Sequence, residues 1–241
     1  MKKFLCTFFL CMLTAVTLTV SARAAEDIIK AGLYYGDGAL YSANLENYEG
    51  SGYDLGWYDE ATRDFNRIGF LSDTAISMTA DGTIYRSGKV YSASRPAQTY
   101  STIGGYHVQL REEFPSFDEA AYAAGQLEDA FPAFINNAYR VRMGSFATRE
   151  EAEIAAATYA TRSWRDRYGM DRAASGDAVA PSATGIVVTS TGTDRILFAF
   201  DCSGAKSLGI LPNNGAGKAQ PRFKGYRWYG RLEYRPSPGG N

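Results

Sequence analysis

One pattern is written twice in this chain, about 32 residues apart, between Tyr106 and Arg162. The first copy reads YHVQLREEFPSFDEAAYAA from Tyr106, and the second reads YRVRMGSFATREEAEIAA from Tyr139. With one extra residue in the first copy, Tyr106 meets Tyr139, Val108 meets Val141 and Leu110 meets Met143. Phe114 then meets Phe146, Ser116 meets Thr148 and Glu119 meets Glu151. The duplication constrains the fold because each copy has one apolar stripe that it cannot bury alone, whereas two copies can bury theirs together.

Each copy reads as a strand followed by a helix. Tyr106, Val108 and Leu110 alternate with His107 and Gln109, and Tyr139, Val141 and Met143 alternate with Arg140 and Arg142, which is the two-residue period of a half-buried strand. Ser116 with Glu119, and Thr148 with Glu151, have the spacing of capping boxes, in which hydroxyl and carboxylate satisfy backbone N–H groups of the first turn. Ala120, Ala124, Leu127 and Phe131 continue the first helix at helical spacing up to Pro132, and Ala152, Ala155, Ala156 and Tyr159 give the second its matching face. Phe134 and Ile135 offer a further strand, and Ile186–Val188 a fourth. The expected fold class is α+β, a βαββαβ, ferredoxin-like split sheet with both helices on one side, flanked by β-rich segments.

The paired signature, Y-x-V-Q-L with F-x-S-x-x-E-A followed by Y-R-V-R-M-G-S-F with T-x-x-E-A, resembles the SPOR domain, a sporulation-related repeat that binds peptidoglycan glycan strands. The resemblance covers about a quarter of the chain, and Arg111 and Glu112 depart from the family, which usually has Gly and a small residue there. It implies that the sheet face opposite the helices meets the glycan. That face carries His107, Gln109, Arg140 and Arg142, with Gln109 the residue that matches the family pattern most directly. The chemistry suits a sugar, since Gln offers a donor and an acceptor and Arg a planar fork of donors.

Lys2 and Lys3, the apolar run from Phe4 to Val20, and Ala22-Arg23-Ala24 have the three parts of a secretory signal with a cut after Ala24. An uncleaved anchor is the alternative, because about 17 apolar residues just suffice to cross a membrane. Either way the protein is expected in the extracytoplasmic envelope or secreted, touching a membrane only through this segment. Cleavage removes Cys6 and Cys11, leaves Cys202 alone and excludes an intrachain disulfide. It also takes the 25 basic residues to 22 against 26 acidic ones, a net charge of −4 that gives no reason to expect nucleic acid as a partner.

The expected organisation is a signal at 1–24, a β-rich region at 25–103, the SPOR-like unit at 104–172, an Ala/Ser/Gly/Pro linker at 173–184 and a second β-rich region at 185–241 that lends the unit a strand. The first region reads as an antiparallel meander with turns at Asp37-Gly38, Ser51-Gly52 and Asp81-Gly82. Its aromatic residues Tyr34, Tyr35, Tyr53, Trp57 and Tyr58 read as core or cross-strand pairs, with a sugar-stacking platform as the alternative. The flanks IIKAGLYYG and FKGYRWYGRLEYR are similar to the outer parts of stage II sporulation protein D and LytB-type proteins. Catalytic members of that family carry a glutamate in a segment that nothing up to Asn241 matches.

A single histidine, His107, and a single mature cysteine, Cys202, exclude a His/Cys metal cluster and a convincing nucleophile device, so no metal, no other cofactor and no catalytic residue is expected. Asp37, Asp54, Asp59, Asp194 and Glu233 are candidates for paired-carboxylate sugar cleavage by residue type alone. The expected function is therefore non-catalytic binding of peptidoglycan glycan strands. The alternatives are the front part of a sporulation protein D-like lytic transglycosylase and a protein-docking module.

Overall fold

The computed structural model describes residues 32–34, 38, 40, 42–88, 90–97, 99–204, 206–213, 220–228 and 231–236. The expected signal, 1–24, and the loop at 214–218 lie outside the described residues, as do Tyr35 and Asp37.

In chain order the strands are β1 Ala43–Glu46, β2 Tyr53–Tyr58, β3 Phe65–Leu71, β4 Ala75–Ala80, β5 Ile84–Ser87, β6 Val90–Ser92 and β7 Ser101–Ile103. The doubled stretch follows as β8 Tyr106–Leu110, helix α1 Phe117–Ala124, β9 Ala130–Ile135, β10 Ala138–Phe146 and helix α2 Arg149–Tyr159. Beyond it come β11 Ser163–Arg165, β12 Asp171–Ala173, β13 Gly176–Val179, β14 Ile186–Ser190, β15 Ile196–Asp201 and β16 Leu208–Pro212, then β17 Arg222–Phe223, β18 Tyr226–Arg227 and β19 Leu232–Tyr234.

The fold is α+β in the broad sense, mostly strands with these two short helices. One ten-stranded mixed sheet runs β13-β8-β10-β9-β15-β14-β4-β1-β17-β18, beside sheets of four (β19-β16-β2-β3), three (β6-β5-β7) and two (β11-β12) strands. Within the doubled stretch every pairing is antiparallel, β13 on β8, β8 on β10 and β10 on β9. The alternation read from the sequence is realised: Val108, Leu110, Val141 and Met143 are all buried against Ala120, Ala123, Ala124 and Tyr159 of the helices. Small residues on α1 let it lie close to the sheet.

Three details differ from the sequence reading. The fourth strand of the unit is β13, inside the stretch read as linker, while Ile186–Val188 belongs to β14, two places beyond β9 in the sheet. Helix α1 ends at Ala124 with Gly125 as its C-cap, so Phe131 and Pro132 lie in β9. Pro132 sits opposite Val141 and one residue before the ladder with β15 begins at Ala133, a place where its missing N–H costs little. The reciprocal capping box forms at Thr148, where Glu151 Oε2 accepts from the Thr148 N–H at 3.3 Å, whereas Ser116 only accepts from the Glu119 N–H, also at 3.3 Å.

β9 joins the unit to the rest of the molecule through a parallel ladder with β15, Ala199 beside Ala133 and Phe200 beside Phe134. The first β-rich stretch is not a continuous meander. β2 and β3 form a hairpin in the four-stranded sheet, while β1 and β4 enter the large one. Residues from before and after the doubled stretch share both sheets, β16 pairing with β2 and β14 with β4. Their inner faces make the main core, where Tyr53, Leu55, Leu208 and Ile210 of one sheet meet Ile76, Met78, Ile186, Phe198 and Phe200 of the other. Phe134 reaches into that core, so the helices and the four-stranded sheet cover the same face of the large sheet.

Candidate functional site

The opposite face of β8 and β10 carries the four residues expected to meet a glycan, and register brings two of them together. Gln109 lies directly across from Arg142, whose Nε donates to Gln109 Oε1 at 3.1 Å. The other end of this face is not bare. His107 is 0% exposed and Arg142 5%, because Asp81, the residue after β4, sits on both. Arg142 Nη1 donates to Asp81 Oδ2 at 3.4 Å, and His107 Nε2 is 3.4 Å from Asp81 Oδ1. Asp81 is held from behind, its N–H donating to the Gly185 carbonyl at 2.8 Å and its Oδ2 accepting from the Ser182 N–H at 3.4 Å.

This contact requires the large sheet to curl. β4 stands four strands from β10 and five from β8 in the sheet order. At about 4.8 Å per strand a flat sheet would separate them by roughly 19 to 24 Å. The second face closes on itself accordingly. Ser77, Thr79, Val187 and Thr189 are 0% exposed on that face, and Phe131, Ala133 and Ala199 form a small apolar cluster there. His107 Nδ1 is fixed at 2.6 Å from the Gly144 carbonyl oxygen, at a β-bulge where Gly144 takes φ +66°. A bulge re-aims the backbone locally, and a positive φ suits glycine. Burial weakens Arg142's hold on its proton most, with the charges of Asp81 and Asp201 opposing that effect.

The open end of the face is a polar strip. Gln109 is half-buried, and its amide nitrogen has no protein partner among the described residues. Arg111, next on the same side of the strand, holds Asp177 of β13 through two hydrogen bonds of 2.9 and 2.7 Å. This pairing keeps the Asp177 carboxyl below the usual carboxylate range. Arg140 pairs with Glu113, and its Nη1 donates to the Arg111 carbonyl at 3.5 Å. The strip therefore groups Gln109 and Arg140 with Arg111, Glu113 and Asp177, while His107 and Arg142 are buried beside it, Arg142 bonded to Gln109. The sequence carried a signal for Arg111, which continues the alternation of His107 and Gln109, but none for Asp177 in an apparent linker.

Of the remaining candidates, Tyr53, Trp57, Tyr58, Asp54 and Asp59 are engaged by neighbouring groups. Tyr53 is fully buried, Trp57 stacks on Phe134 at 5.8 Å under the Lys206 ammonium, and Tyr58 packs on Phe65 beneath Arg231. These are packing partners, not one platform. Asp54 is ion-paired with Arg67 at 2.5 Å, and Asp59 accepts the N–H groups of Ala61 and Thr62, which hold its carboxyl low. Cys202 is a buried free thiol pushed up by desolvation. Among the described residues no group of acidic, His or Cys side chains is placed to hold a metal ion, and no helix is long and apolar enough to cross a membrane. Comparison of the chain with protein-family models, with curated proteins and with solved structures finds no match in any of the three.

Proposed function

We propose that this chain is a non-catalytic protein of the extracytoplasmic bacterial envelope that holds peptidoglycan glycan strands on the open strip of β13, β8 and β10. The observation that carries the reading is the arrangement of the doubled stretch. Its strands, with β13 beside them, order as β13-β8-β10-β9, all antiparallel, with both helices on one face, an arrangement that supports a ferredoxin-like, SPOR-type reading of the unit. The contact residues are Gln109, Arg111, Arg140 and Asp177, whose planar amide, guanidinium and carboxylate groups match sugar hydroxyls and acetamido groups. His107 and Arg142 act behind them, as the buried support of the face. The reading is non-catalytic because His107 and Cys202, through which a histidine- or cysteine-based device would have to run, are both buried.

The test is retention of the mature protein on purified sacculi, including sacculi stripped of stem peptides. A single strip of this size binds weakly, and retention grows when many copies line one strand. The double variant Gln109→Ala with Arg140→Ala should fold normally and bind at least about tenfold more weakly, roughly 1.4 kcal/mol. No retention of the parent on either kind of sacculus overturns the function. Unchanged binding by the double variant overturns the site.

A further inference from the structure

The loop that joins β11 to β12 is organised by Asp166. Its Oδ1 accepts from the Tyr168 and Met170 N–H groups, both at 2.9 Å, and Arg172 Nε donates to its Oδ2 at 3.0 Å. Backbone bonds from the Asp166 N–H to the Met170 carbonyl at 2.9 Å and from the Gly169 N–H to the Asp166 carbonyl at 3.0 Å close the loop. Gln126, just past the end of α1, clamps the hairpin from behind, donating to the Arg165 carbonyl at 2.9 Å and accepting from the Arg165 N–H at 3.0 Å. A loop fixed this firmly nevertheless turns apolar groups to water, with Tyr168 85% exposed and Met170 50%. Tyr122 of α1 lies under the Arg167 guanidinium at 5.7 Å, whereas an exposure of 85% leaves both faces of the Tyr168 ring open.

We propose that this tip is a second glycan-binding site, at which the Tyr168 ring stacks on the apolar face of a sugar ring with Met170 beside it. The inference rests on the proposed function and extends it to a surface outside the strip. The ligand class follows from what surrounds the ring. Arg165 is paired with Asp171 at 3.0 Å and Arg172 with Asp166 at 3.0 Å, while Arg167 lies 4.0 Å from Glu119. The tip therefore offers planar donors and acceptors to hydroxyl and acetamido groups without a net charge that would draw an ionic polymer. Similar pairs, Arg111 with Asp177 and Arg140 with Glu113, line the strip. A specific protein interface takes about 800 Å² from each side, and one ring with one thioether gives a much smaller contact. Holding the ring in place beforehand lowers the ordering cost of such a small contact. β12 runs through Ala174 and Ser175 into β13, so even a fully extended chain would keep Tyr168 within about 32 Å of Asp177 in the strip. Two weak contacts that close together reinforce each other on a polymer.

The test compares the mature protein with Tyr168→Ala on purified sacculi, both intact and stripped of stem peptides. The bonds that fix the loop run through Asp166 and the backbone, so the variant should melt at the parent's temperature. Its retention should fall about threefold or more on both kinds of sacculi, and Tyr168→Phe, which keeps the ring, should bind like the parent. Soluble glycan oligomers released from stripped sacculi should shift the Tyr168 ring resonances of the parent, and should still do so in the strip variant Gln109→Ala with Arg140→Ala. Unchanged retention of Tyr168→Ala, with the parent retained, overturns the hairpin site and leaves the strip standing. A loss confined to intact sacculi assigns the tip to a peptide and overturns the sugar assignment. No retention of the parent overturns the proposed function, and this site with it. If Tyr168→Ala does not fold, the parent's ring resonances decide, and resonances that stay unmoved by the oligomers overturn the site.

Discussion

Arg142 and Asp81 show how much a single buried charge weighs in this molecule. Removing the guanidinium leaves the Asp81 carboxylate, 2% exposed, with the His107 ring and the Ser182 N–H beside it but without its arginine. An uncompensated buried charge typically costs about 3–5 kcal/mol, so Arg142→Ala should lower the free energy of urea unfolding by that amount. Asp81→Ala should cost a similar amount. The double variant should cost clearly less than the sum of the two, because the partners act as a unit. Additive losses would mean that the contact contributes nothing as a pair. The sequence showed Arg142 as an outward residue of a strand and Asp81 as half of a turn, both correctly in local terms. It could not show that a turn 61 residues away returns over the strand, since a contact that long leaves no periodicity. At the alkaline end the buried phenols dominate. Burial pushes both Tyr58 and Tyr234 up to about 12. The unfolded chain ionises its tyrosines near pH 10, so these two stabilise the fold below that pH, and the contribution is lost as pH rises from about 10 to about 12. Tyrosinate absorbance followed with melting temperature should show the fold weakening before these phenols ionise, and ionisation of every tyrosine near pH 10 in an intact fold would contradict their burial.

The helices and strands of the doubled stretch were legible wherever a local rule decides. Capping residues and the alternation of Val108, Leu110, Val141 and Met143 placed the starts and faces, and all four positions are fully or nearly fully buried. What was not legible was β13, because Gly176-Asp177-Ala178-Val179 is too short and too mixed in composition to announce a strand. It forms because Arg111 and the open edge of β8 give it a partner, Gly176 lying beside Leu110 and Val179 beside His107. Sequence also could not distinguish the two caps. Thr148 exchanges both bonds with Glu151, whereas Glu119 is drawn toward Arg167 at 4.0 Å and leaves Ser116 with a single bond. Glu151→Ala should therefore destabilise the protein by some tenths of a kcal/mol, and Thr148→Ala by about 1 kcal/mol. Glu119→Ala should be nearly neutral. Met143→Ala, at a 0% exposed position, should cost about 2–5 kcal/mol. Melting data in which the caps outweigh Met143 would contradict the arrangement of the core.

At the scale of the whole molecule, the doubled stretch is recognisable in sequence as a unit but is tied into its surroundings on two sides. The strand at the end of its sheet order, β9, shares a parallel ladder with β15, and Phe134 of that strand enters the main core beside Phe200, the rings 6.3 Å apart. On the second face Phe131 packs with Ala133 and Ala199, and Asp81 from β4's end neutralises Arg142. These connections join residues far apart in the chain, which is why no local pattern announced them. They make a specific expectation for a fragment covering 104–180 alone. Exposing Phe131 and Phe134 forfeits about 1.5–3 kcal/mol each, together about 3–6 kcal/mol. A single core in a piece of about 75 residues rarely supplies more than about 3–5 kcal/mol, so the loss matches or exceeds all the fragment has. Arg142 would in addition lose its buried carboxylate. The fragment should bind a hydrophobic dye and melt without a cooperative transition, while the chain from about residue 42 onward unfolds in one step. A sharp, cooperative transition and native-like near-UV circular dichroism from 104–180 alone would show instead that the doubled stretch folds by itself, with β15 and the Asp81 turn as later additions to a finished sheet.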